Sequence, residues 1–519
     1  MNITSFSSDI QASIFKQTYI NGFLDCSGSM MNRNGSMILG DTTLPGFDIN
    51  KRMLTMNSTR ISLGIFTGET GQAVGTVALG QGAAQLNQNM SSVAIGIYAA
   101  QQNQLTQSVA IGPYAGQLSQ SSQCVALGLL AGQSNQGSNS VALGGYAGQT
   151  SQLGSSVAIG YSAGNASQGT QSVALGGYAG QTSQGTQSVA LGYQAGQTSQ
   201  GIESVGLGYQ AGQTSQGVRS VAIGHMAGQT SQSAQSVALG KSAGQNSQGI
   251  ESVAIGYLAG QNSQGIESVA IGVLSGQTSQ GTQSVALGNS AGKTSQGTKS
   301  LAIGYIAGQT SQGTQSVALG YQAGQTSQGA NSVAIGANAG FNQTGQFNTF
   351  VGTNAGWDFG VTRIGQYNTY LGVNTTATGN FSKSTAIGYS ATITASNQIV
   401  IGTATENILI PGNTTGKSFT TTSDYRVKED IQPLDPTYSI DSIRPVQYKL
   451  KGSDGLHIGV IAHELQESLP FLVHGVKDGP ETQSVNYNGL IGLLVKEVQD
   501  LKREVKQLKC DIEGLRRPV

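Results

Sequence analysis

Between residues 77 and 333 the chain repeats one hydrophobic–polar pattern every sixteen residues, in forms close to SVALGYQAGQTSQGTQ. Valine leads each copy at Val77, Val93, Val109, Val125, Val141 and onward to Val333, with Leu301 as the one substitute. A glycine three residues later keeps the same step from Gly80 to Gly352. Seventeen copies run without insertion or deletion, and looser ones follow at NTFVG, NTYLG, STAIG and QIVIG up to Gly402. In VALG or VAIG the Val and Leu/Ile alternate with Ala, which predicts a short strand with its large aliphatics on one face. The glycine permits a bend that a β-carbon would hinder. YQAG or GYAG then reads as a second short segment, and QTSQGTQ as a polar stretch with a turn glycine. A fixed period of this length predicts a stacked array, so the fold class expected is mainly β, a β-solenoid or β-roll shaft.

One copy carries too few buriable aliphatic groups to offset the ordering of sixteen residues, so neighbouring copies must share a core. The small Ala and Gly of the second segment imply close approach of another backbone, supplied either by three chains around an axis or by a tight single-chain coil. About 21 rungs at ~4.8 Å give a rod of roughly 100 Å. Near-identical rungs specify register weakly, because a slip of one copy puts Val on Val and Gly on Gly. Alignment of several chains must then be set outside the array.

Charge marks where the array ends. Residues 77–402 hold ten charged side chains, and residues 423–519 hold 28. Four regions follow. Residues 1–75 are read as a strand-rich cap or attachment region, with TYINGFLD, SMILGD and RISLGIF as short strands and no sixteen-residue step. Residues 76–411 are the shaft, turning aromatic-rich from 340, where Gly352 to Gly372 is a step of twenty and a change in core packing is expected. Residues 412–422 are a linker. Residues 423–519 form a small α+β domain ending in a helix, with a coiled coil over 487–515. In that helix Ile491, Leu494, Val498, Leu501, Val505, Leu508, Ile512 and Leu515 alternate steps of three and four, a heptad seam. Ile/Val at a with Leu at d leans toward two strands rather than three.

Composition removes several classes. The formal net charge is zero, with no basic field to favour nucleic acid or an anionic membrane. No run of about 18 apolar residues exists for membrane insertion. MNITSFSSDIQASIF has neither a basic start nor an apolar run, so no secretory signal is read there. Cys26, Cys124 and Cys510 make no metal spacing and no disulfide framework. His457, His463 and His474 have no partner at ligand spacing and are given structural roles. The repeats lack the aspartates of calcium-binding solenoids. No cofactor and no metal are expected. The Thr register (Thr150, Thr182, Thr198) and Gln register (Gln149, Gln181, Gln197) are expected to bond along their own ladders.

The C-terminal region carries an ordered series: S-D-x-R-x-K at Ser423, Asp424, Arg426 and Lys428; I-x-P-x-x-Y at Ile443, Pro445 and Tyr448; I-G-V-I-A at Ile458–Ala462; V-N-Y at Val485–Tyr487. This series resembles the peptidase S74 family, the intramolecular chaperone domain of endosialidase and other phage tail spikes and fibres. His463 stands where such domains often have Gln. The resemblance implies a chaperone that aligns three chains and then cuts itself off. It implies a cut between Thr422 and Ser423, with Ser423 as nucleophile and Lys428 as general base; from the residues themselves, Arg426 is read as the nearby cation that helps Lys428 act as base, and Asp424 with it as a supporting group. A serine hydroxyl needs a base, and lysine serves when burial or a neighbouring cation lowers its pKa. Spacing alone places residues five apart on different faces of a strand or helix, so a bend or another chain is required. The repeats are more loosely similar to the β-roll heads of trimeric surface adhesins, which also carry SVAIG.

The reading is a homotrimeric virion fibre or tail-spike-like protein on the virion surface. It attaches to a host surface receptor, with a glycan as one option, and joins a virion base through residues 1–75. The alternatives are a cell-surface trimeric adhesin and a polysaccharide-degrading spike enzyme. The last is disfavoured because the shaft offers no carboxylate pair.

Overall fold

The computed structural model describes residues 37–39, 54–57, 59–357, 362–406, 408, 423–451, 454–480 and 482–515. The linker read at 412–422, Thr422 and the strand read at TYINGFLD lie outside the described residues. The chain divides into two compact units, 1–409 and 410–519.

Each sixteen-residue copy is one turn of a β-solenoid. The VALG segments stack in parallel with residue i on i+16: Val125 pairs with Val141, Ala126 with Ala142 and Leu127 with Leu143. The polar segments make a second parallel stack, Thr182 on Thr198 and Gln184 on Gln200. Among the described residues these two stacks form a 24-stranded and a 15-stranded sheet. The step reaches one rung further back than the sequence reading put it. Arg60–Leu63 pairs with Thr76–Leu79, Ile61 on Val77, so part of 1–75 already belongs to the coil. Leu54–Asn57 pairs antiparallel with that first rung, and Met37–Leu39 antiparallel with Leu54–Asn57.

In the regular rungs the interior is lined by alanine and not by the large aliphatics. Along each VAL strand the central alanine is buried while Val and Leu/Ile are half-buried or exposed, as in Val141–Leu143. Ala126, Ala142 and Ala158 are fully buried, as are Ala131, Ala147 and Ala163 of the second segment. Opposite them lie buried glutamines such as Gln136 and Gln152, while buried serines such as Ser140 and Ser156 stand two residues before the buried Ala142 and Ala158 in the same stack. The expected shared aliphatic core is therefore inverted within one chain. The reason is dimensional. Each interior Gln spans the coil and donates its amide to the opposite strand, Gln136 Nε2 to Val125 O at 2.9 Å and Gln152 Nε2 to Val141 O at 2.9 Å. A coil that thin admits Ala against Gln, and strand alternation then sends every Val and Leu outward.

Of the two sources of close approach named above, the tight single-chain coil accounts for the small residues. A β-carbon on Gly144 (φ +129°) would lie 2.6 Å from Gly160 O of the next rung. The outer amides bond along their column as expected, Gln213 Nε2 to Gln197 Oε1 at 2.9 Å and Gln229 Nε2 to Gln213 Oε1 at 3.0 Å. Tyrosines form a second column. Tyr146, Tyr161, Tyr178, Tyr193 and Tyr209 contact in succession with centroids 5.4–5.8 Å apart, and His225 continues the row.

In two rungs beyond residue 340 the alanine position of the core becomes aromatic. Phe350 and Tyr370 are buried and stack at 5.0 Å, with Ala334 paired to Phe350 and Ala386 to Tyr370 on either side. The step of twenty is real, with Thr349 pairing to Thr369, and the last rung shortens to fourteen, Thr385 on Ile399.

Candidate functional site

The second unit is built around a small apolar core of Leu465, Leu469, Leu472, Val473, Leu490 and Leu493. Val446–Lys449 and Leu456–Gly459 form an antiparallel hairpin, a helix spans Ala462–Ser468, and a long helix spans Tyr487–Leu515. The motif residues serve this frame. Ile443, Val460, Ala462 and Val485 pack against the core. Asn486 N donates to Leu472 O at 2.8 Å, and its Oδ1 accepts from Gly489 N at 3.2 Å as the long helix begins. His457 stacks on Tyr448, and His474 pairs with Ser484 between two short strands.

The long helix has two apolar stripes. Leu490 and Leu493 face the unit's own core, and Lys496 Nζ donates to Tyr438 O at 3.2 Å beside them. The heptad seam faces elsewhere. Ile491, Leu494, Val498, Leu501, Val505, Leu508, Ile512 and Leu515 are all exposed.

At the start of the unit the chain makes one tight turn. Tyr425–Val427 is a single 3-10 turn, with Val427 N bonded to Asp424 O and Lys428 N to Tyr425 O, both at 3.2 Å. Asp424 caps it, Oδ1 accepting from Arg426 N at 2.9 Å. The Arg426 guanidinium closes on the same carboxylate, Nε to Oδ1 at 3.0 Å and Nη2 to Oδ2 at 2.6 Å. That pairing holds the Asp424 carboxyl below its ordinary range, chiefly through the Arg426 side chain and then through its backbone N–H. Lys428 leaves the turn with extended backbone, φ −117° and ψ 135°. Its Nζ reaches back across the turn to donate to Ser423 Oγ at 2.7 Å. The bend that spacing demanded is thus this turn.

The structure brings Ser423 and Lys428 together and pairs Asp424 with Arg426. Thr422 lies outside the described residues. Ser423, Arg426 and Lys428 are exposed in the single chain and Asp424 is half-buried. What sequence reading missed is how Asp424 and Arg426 fit together as cap and clamp. The available signal was the aspartate before a three-residue turn, a residue type that favours such caps. Among the described residues, no group of three His, Cys, Asp or Glu side chains is placed to hold a metal ion. No described helix is long and apolar enough to cross a membrane.

Comparison with known proteins adds four findings. No curated protein matches the chain. Two copies of the YadA head domain repeat match within residues 311–339. A crystal structure of the collagen-binding domain of the Yersinia adhesin YadA matches at 21% identity, covering 40% of this chain and 80% of that one, with a TM-score of 0.17. At that score the likeness adds nothing to the coil the strand register already defines. Residues 423–474 match the Peptidase S74 family, described as the chaperone of endosialidase, and that segment holds both Ser423 and Lys428.

Proposed function

We propose that this chain is a homotrimeric fibre or spike protein for attachment to a host surface, most directly a virion fibre. Its C-terminal unit directs assembly and is released by self-cleavage between Thr422 and Ser423. The observation that carries the reading is the Lys428 Nζ to Ser423 Oγ contact of 2.7 Å inside the segment that matches the endosialidase chaperone family.

The cleavage chemistry is self-contained. Ser423 Oγ adds to the Thr422 carbonyl carbon while Lys428 takes the hydroxyl proton. That proton passes to the Ser423 amide nitrogen as the C–N bond breaks, leaving an ester on Oγ. Water then hydrolyses the ester, giving the Thr422 carboxylate and a free Ser423 amine. Lysine takes up a proton only when it is neutral, and removal of water around it favours that state. Burial of the turn by neighbouring copies supplies it, so cutting waits for assembly.

Self-association is supported by two surfaces that one chain leaves uncovered. One is the outward Val and Leu/Ile column of the shaft, with Leu127, Leu143, Leu175 and Leu239 about two-fifths exposed. An apolar column that recurs rung after rung is the kind of extended exposed patch that marks an interaction surface. The other is the heptad seam. The column repeats every rung, so copies meeting along it slide at little cost, whereas the seam and the chaperone core occur once per chain and set the register. The wild-type chain loses a C-terminal piece of about a fifth of its 53.1 kDa on a denaturing gel, and Ser423→Ala stays whole. Loss of the piece from Ser423→Ala would end the reading.

The YadA head repeats at 311–339 favour a second reading, a cell-surface adhesin with the same trimeric shaft. Purified virus particles that contain the chain decide for the first.

A further inference from the structure

We propose that Asp424 and Arg426 are positioning residues for self-cleavage, forming a clamp that keeps Lys428 Nζ within hydrogen-bond distance of Ser423 Oγ. This rests on the self-cleavage reading above and deepens it.

Three residues of 3-10 turn have little intrinsic persistence, because one turn fixes several dihedrals for few hydrogen bonds. Here the turn is exposed, and none of its residues is buried. Tyr425 and Val427 are 76% and 68% exposed, so packing within the chain does not hold it. What holds it is local. Asp424 Oδ1 satisfies the Arg426 N–H, and Asp424 O and Tyr425 O take the next two N–H groups. The guanidinium fork then fixes the carboxylate rotamer by two-pronged contact, a geometry that a planar Arg provides and a Lys does not. If the turn opens, Ser423 and Lys428 fall back to the two faces of an extended strand and their contact is lost. Proximity and orientation of nucleophile and base are steep functions of such small displacements. Neither Asp424 nor Arg426 bonds to the Ser423 hydroxyl or the Lys428 amine, so both act through the turn.

The test is the rate of self-cleavage in the full-length chain, followed on denaturing gels from pH 6 to 10, with trimer content read by sedimentation. Asp424→Ala removes cap and clamp and slows cleavage at least tenfold, with the pH midpoint unmoved and trimer content unchanged. Asp424→Asn keeps an oxygen for the Arg426 N–H and restores the rate to within about threefold of wild type. Arg426→Ala keeps the backbone cap, loses the fork and falls between the two. Asp424→Ala cutting at the wild-type rate overturns the proposal. So does an Asp424→Asn rate as low as that of Asp424→Ala, or slowing that only accompanies loss of trimers. A shifted pH midpoint in Asp424→Asn overturns it too, since the pair would then act on charge and not on placement. Ser423→Ala separates the two claims. If that variant still loses the piece, self-cleavage by Ser423 fails; if it stays whole while Asp424→Ala is fast, only the positioning role fails.

Discussion

Replacing Gly144 by alanine adds one methyl group where the solenoid has no room for it. Gly144 sits at φ +129°, a conformation essentially restricted to glycine, and its added β-carbon would lie 2.6 Å from Gly160 O. That carbonyl belongs to the next rung, which is tied back by Gly160 N to Leu143 O at 2.8 Å. The backbone strain is about 1–3 kcal/mol. Forcing a methyl against fixed backbone adds about 1–3 kcal/mol. Taken at about 3 kcal/mol, the rung opens roughly a hundredfold more often. Gly145 is the internal control. Its β-carbon meets Tyr161 Cδ2 at 3.6 Å, an ordinary contact, so Gly145→Ala stays within about 0.5 kcal/mol. The assay is amide hydrogen exchange read by mass spectrometry on the full chain. Gly144→Ala loses about a hundredfold of protection in the rungs from 125 to 175, while rungs 253–319 keep theirs, because each rung touches only its neighbours. Equal protection in the two variants would refute the claim that glycine is required there by inter-rung contact.

Other outcomes follow from the same structure. Tyr370 is buried, and desolvation pushes its phenol up to about 12 from an ordinary 10.0. Between those values the unfolded state holds fewer protons, so this part of the shaft loses up to about 3 kcal/mol as pH rises from 10 to 12; hydrogen exchange in Tyr370→Phe shows no such loss. Phe350→Ala empties a fully buried site against Tyr370 and costs about 3–5 kcal/mol, read as lost exchange protection in residues 333–387. Leu501→Asp with Leu508→Asp puts carboxylates on the exposed seam. Sedimentation then gives monomers or misaligned aggregates, and self-cleavage falls with trimer content. If cleavage persists in sedimenting monomers, the link between assembly and cutting is wrong.

The sixteen-residue period by itself determined a stacked β array, with a single-chain coil and three chains around an axis both open. Strand, bend and polar turn recur at fixed places, and a repeat too poor in buried groups to stand alone has to stack. The S-D-x-R-x-K series likewise marked Ser423 and Lys428 through resemblance. The sequence reading placed Val and Leu in the shared core, and the structure reverses it, because the period does not say which face of the strand lies inside. Alternation separates Val and Leu from Ala and is blind to the direction in which the strand is wound. The sign came from the width of the coil, set by Gln136 and its repeats reaching the opposite strand, which leaves space for alanine and turns the aliphatics outward. At the proposed cleavage segment, spacing left Ser423 and Lys428 on different faces. One capped turn, closed by the Asp424–Arg426 pair, places them at 2.7 Å. Both decisions depend on distances across folded backbone, and a linear pattern carries none of those.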